Sequence, residues 1–94
     1  MFVRVVRFTG ATEDTVNAVI TRIKESGGPP PGVDASGLKL LFDASGGTAI
    51  VLQEFPTEQA MQDAAKIFDA MQPSETPGDR ASVDACEVRH VEVV

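Results

Sequence analysis

One histidine, one cysteine and an arginine set inside an apolar strand are the residues of this chain best suited to chemistry. His90 alone titrates near neutrality when unperturbed, which suits a general base. Cys86 would attack as a thiolate only with a base or cation beside it. On one strand the two stand about 13 Å apart along the axis, so they cannot meet. Cys86 is therefore expected to be buried and inert. His90 is a candidate for proton transfer, weighed against a solvated or hydrogen-bonded ring at the sheet rim. Arg4 lies within FVRVVRF, where a cation must enter a sheet face at a cost unless it is paired. It could anchor a substrate carboxylate or an anionic enol oxygen. The plainer expectation is a salt bridge to an acid on a neighbouring strand, such as Glu54, Asp84 or Glu92. The candidate catalytic residues are thus Arg4 and His90.

Metal sites need three or four fitting ligands, which one histidine and one cysteine do not supply, so no metal is expected. The run Gly27-Gly28-Pro29-Pro30-Pro31-Gly32 is not a phosphate loop, because proline removes the amides that would cradle an anion.

The elements that must position these residues follow from hydrophobic period. Residues 2–8 are rich in β-branched and aromatic types and read as a strand. Thr12 is a helix N-cap, with Glu13 and Asp14 in the first turn. Val16, Val19, Ile20 and Ile23 then form an amphipathic stripe that Gly27-Gly28 ends. GLKLLFD (37–43) and TAIVLQEF (48–55) read as a hairpin, pairing Asp43 with Thr48, Leu41 with Ile50 and Lys39 with Leu52. The other hairpin face holds Leu38, Leu40, Phe42, Ala49, Val51 and Phe55, interrupted by Gln53. Pro56 stops the strand and Thr57 caps a second helix, whose stripe is Met61, Ala64, Ala65, Phe68 and Met71. Residues 73–79 read as loop and 82–94 as a last strand.

The order β, α, β, β, α, β with right-handed crossovers predicts one α+β domain over residues 1–94, with both helices on one face of a four-stranded antiparallel sheet. The uncovered face still carries Leu41, Ile50 and Leu52, so a two-fold homodimer packed sheet to sheet is expected. A ligand would lie between helices and sheet, beside Ile20, Ile23, Phe55, Phe68 and Met71, with Gln53 as its hydrogen-bonding group. The alanines of the second helix either leave space there or let the helix pack closely.

Composition narrows the partners. A net charge of −6 repels phosphate backbones and anionic lipid, so neither nucleic acid nor a membrane surface is expected. Charges interrupt MFVRVVRF, which reads as a strand and not as a signal peptide. A lone cysteine fits a reducing, cytoplasmic setting.

Several segments together resemble the dimeric α/β-barrel superfamily, the ferredoxin-like group that includes antibiotic-biosynthesis monooxygenase-like domains. They are Arg7-Phe8, Gly32-Val33, Leu40-Leu41-x-Asp43 leading into Gly46-Gly47, and Glu54-Phe55-x-Thr57-Glu58-x-Ala60-Met61. The resemblance implies a homodimer whose two sheets build a barrel, with any ligand between helices and sheet. Its oxygenase and haem-degrading branches use tryptophan with asparagine, tyrosine or a helix-borne histidine. Here Phe55 stands where many relatives carry tryptophan, and the chain has no tyrosine. The leading expectation is a small homodimeric domain that binds a hydrophobic small molecule without catalysis. A cofactor-independent monooxygenase or isomerase acting on an aromatic or polyketide-like substrate is the alternative, and a structural interaction module the third.

No cofactor is expected, since ligand side chains are scarce and no dinucleotide-binding glycine pattern occurs. The purified protein should show no Soret or flavin absorbance and no stoichiometric metal by elemental analysis. A visible chromophore would overturn this.

Overall fold

Strand β1 (Phe2–Thr9) occupies an interior position in the sheet, paired on both edges. In the computed structural model, which describes residues 1–70 and 76–94, it is followed by α1 (Glu13–Ser26), β2 (Gly37–Asp43), β3 (Thr48–Phe55), α2 (Glu58–Asp69) and β4 (Asp79–Glu87). The strand order is β2-β3-β1-β4 and every pairing is antiparallel. This α+β arrangement is compatible with a ferredoxin-like fold. Among the described residues, no helix is long and apolar enough to cross a membrane.

Local chemistry sets the boundaries. Thr12 accepts from the Thr15 amide while the Thr15 hydroxyl accepts from the Thr12 amide, a reciprocal cap at the start of α1. Gly27 ends α1 in the left-handed region at φ 71°. Thr57 caps α2 by accepting from the Ala60 amide. The β2–β3 register is the one expected from the loop length, with Leu41 opposite Ile50 and Lys39 opposite Leu52.

Register divides the sheet into two faces. Phe2, Arg4, Val6 and Phe8 stand opposite Phe55, Gln53, Val51 and Ala49, and this set meets the helices. The core on that face falls into two clusters. Val6, Phe8, Ala11 and Ala49 pack with Val16 of α1. Phe55 and Val33 pack with Met61 and Ala64 of α2. The loop after α1 joins the second cluster: Gly32, at φ 87°, lies so near Ile67 that a Cβ there would stand 3.0 Å from Cδ1 of that side chain. The opposite face presents Val3, Val5, Ile50 and Leu52, all part-exposed, and Leu41, which is 47% exposed.

Strand β4 departs from the expectation of 82–94 at both ends. Its register puts Glu87 opposite Phe2, the first residue of β1, and only the Val88 amide bonds further, to the Met1 carbonyl at 3.0 Å. Residues 89–94 have no strand beside them, so His90 leaves the sheet. At the other end, Asp79, expected in the loop, and Arg80, before the expected start, pair with Thr9 and Phe8. A bulge leaves Ala81 without a counterpart, because Arg7 faces Ser82 while Phe8 faces Arg80. All nine residues of β4 are exposed, Cys86 included, which corrects the expectation of a buried thiol. The edge position explains this, since the helices cover the inner strands and not β4. Met71 and residues 73–75 of the expected loop lie outside the described residues.

Ala64 is fully buried beside Phe55 and Met61. Ala64→Phe should therefore overpack this cluster and cost about 1–3 kcal/mol. Thermal denaturation should show a midpoint lower by roughly 4–8 °C per kcal/mol. An unchanged midpoint would mean that space exists beside Ala64.

Candidate functional site

Arg4 is the site's central group, and strand parity explains its orientation. Glu54 and Asp84 stand opposite Val3 and Val5, on the other face, so neither can pair with Arg4. Glu92 lies beyond β4 and holds His90 instead, at 3.0 Å. Arg4 turns towards the helices and is 3% exposed. Its Nη1 donates to Gln53 Oε1 at 3.0 Å and its Nη2 to Asp69 Oδ1 at 3.1 Å. The guanidinium carbon stands 5.3 Å from the centre of the Phe68 ring, within cation–π range. Its Nε is buried without an acceptor among the described residues.

A second cation shares the same carboxylate. Arg80 Nη2 lies 2.7 Å from Asp69 Oδ1, and the β4 bulge is what sets Arg80 opposite Phe8 on the helix-facing side. Asp69 is the last residue of α2, where the helix dipole disfavours an anion. The two arginines offset that. Burial pushes the Arg4 guanidinium below its ordinary pKa, and the nearby Arg80 pushes the same way. Asp69 opposes both, and arginine keeps its proton regardless.

Above these groups lies an open groove of about 980 Å³ between helices and sheet. Val6, Phe8, Leu38, Leu40 and Val51 supply its floor with Arg4 and Gln53. Val19 and Ile23 of α1, the Pro29–Pro31 segment and Phe68 supply walls, and residues 76–80 close one side. The groove persists because α2 approaches β1 and β3 closely, whereas α1 lies less close to the sheet.

Of the residues expected to touch a ligand, Ile23, Gln53 and Phe68 line this groove. Phe55 is sealed in the α2 cluster at 0% exposure, and Ile20 packs against the α1 cluster. Gln53 gives its carbonyl oxygen to Arg4, so Arg4 becomes the groove's principal polar group. His90 is outside the groove with a side chain 76% exposed. Asp69 and Arg80 were not foreseen. Asp69 sits one residue beyond the apolar Phe68, and Arg80 reaches this face only through a bulge that alternation does not reveal.

No protein-family model, curated protein or solved structure matches this chain.

Asp69→Asn should remove the counter-charge of a buried cation and cost about 1.5–3 kcal/mol in urea unfolding. Arg80→Gln should cost less than about 1 kcal/mol, since that ion pair is partly exposed. Equal costs would mean that the buried Arg4 gains nothing from Asp69 beyond what the partly exposed Arg80 pair supplies.

Proposed function

We propose that this protein is a small homodimeric binding domain that holds a hydrophobic small molecule between its helices and its sheet. The observation that carries the reading is the open groove of about 980 Å³ walled by Val6, Phe8, Val19, Leu40 and Val51. Protein interiors are close-packed, and a gap of this size beside an apolar floor leaves dispersion contacts unmade until something fills it. Its volume lies at the upper end of ordinary ligand sites, which are largely apolar with a few placed polar groups. An oxygenase or isomerase reading has less support, because the histidine considered for proton transfer stands outside the groove.

The dimer reading rests on the other face. Val3, Val5, Leu41, Ile50 and Leu52 form an apolar strip that neither helix can cover. Each aliphatic side chain covered there would contribute about 1.5–3 kcal/mol. Arg7 and Lys39 share that face with Asp43, Glu54 and Asp84, so a two-fold copy can set opposite charges together. Element and strand order also agree with the resemblance to dimeric α/β-barrel domains of the antibiotic-biosynthesis monooxygenase kind. The lone cysteine accords with a cytoplasmic setting.

Phenylnaphthylamine, a neutral fluorophore, should brighten on entering the groove. Leu38→Trp enlarges a groove residue that is 45% exposed, so it should weaken binding about tenfold with little change in thermal midpoint. Undiminished binding would place the site elsewhere. Light scattering after size exclusion at micromolar concentration should return twice 9.9 kDa. A strictly monomeric protein would sink the dimer.

A further inference from the structure

We infer that the groove selects amphipathic anions, with a carboxylate head at Arg4 and Arg80 and an apolar body along the sheet. The inference rests on the groove being a ligand site and adds what its ligand must carry. At the groove's centre the cations outnumber the anion they meet. Arg4 and Arg80 share a single oxygen of Asp69, leaving one positive charge in excess.

Geometry makes the same point independently. A guanidinium offers a side-on pair of donors, Nε and Nη2, that matches the two oxygens of a carboxylate. Asp69 engages Nη2, and Nε is buried with no acceptor among the described residues. A buried donor without an acceptor is a standing cost that a ligand oxygen would remove. Gln53 fixes Nη1 and Phe68 stands against the guanidinium, so the fork is already held in place. Asp69 is half-exposed on the final residue of α2 and can swing towards Arg80 as the ligand head takes its place on Arg4.

The chain's net charge of −6 does not prevent this. Exposed charges beyond about 10 Å are largely screened at 0.1 M salt, whereas a pair inside the groove is screened much less. The hydrocarbon part of the ligand would lie on Val6, Leu40 and Val51, which adjoin the charged centre.

Decanoate and decanol share a tail and differ in charge at neutral pH. Each is titrated, below its micellar concentration, against protein loaded with phenylnaphthylamine. Decanoate should displace the fluorophore at roughly one tenth the concentration that decanol requires. Arg4→Met should erase that preference, so that decanoate displaces the fluorophore no better than decanol. Should Arg4→Met fail to fold, Arg80→Gln, at an exposed edge strand, should narrow the preference several-fold. Equal displacement by both compounds in the unaltered protein would overturn the anion inference while the groove remains a binding site. A preference that survives both substitutions would overturn it too. If the fluorophore itself does not bind to the folded protein, the groove reading falls, and this inference with it.

Discussion

A guanidinium keeps its proton at any pH a protein meets, so a central strand carrying Arg4 between Val3 and Val5 must place a permanent charge on one sheet face. The register of β1 against β3 decides which face, and it is the one the helices cover. Much of the site's design answers that constraint. Gln53 lies directly opposite and turns its carbonyl to the charge. Asp69 stands at an otherwise unfavourable helix terminus because Arg4 and Arg80 meet it there. Phe68 places its ring beside the cation.

The charge also shapes the core. Phe2 belongs with the α2 cluster, Val6 and Phe8 with the α1 cluster, and Arg4 separates them along the strand. An apolar layer cannot run unbroken over a buried cation without stranding its donors. Two helices each anchored on its own cluster therefore leave a groove between them, with the charged centre in its floor. A fold of this size has little stability to spare, since net stabilities are roughly 5–15 kcal/mol. An incompletely bonded arginine at the centre is a cost within that margin.

Much of the architecture could be read from period and punctuation. The even-length loop between Asp43 and Thr48 sets the hairpin register, and Thr12 and Thr57 mark helix starts through their side-chain oxygens. These are local signals, and local chemistry sets them. The features that the sequence does not reveal are non-local. Alternation persists past Glu87, where no partner strand remains, and so overstates the length of the last strand. Cys86 was placed inside because its residue type is usually buried, yet an edge strand left uncovered decides otherwise. Arg80 stands in the site because Ala81 bulges, and nothing in the alternation marks a bulge. Arg4 is legible in the sequence as a costly residue, but strand parity gives it a partner on a helix and not on a neighbouring strand.

The central claim is that the buried Arg4 Nε–H, without an acceptor among the described residues, takes a ligand carboxylate where Asp69 now stands on the guanidinium. Proton–nitrogen correlation spectra resolve arginine Nε–H groups, and Arg4→Met assigns this one by its disappearance. The account expects a resonance that exchanges slowly with water, as burial requires, and that moves on titration with decanoate but not with decanol. A resonance unmoved by bound decanoate, or moved equally by both compounds, would contradict it.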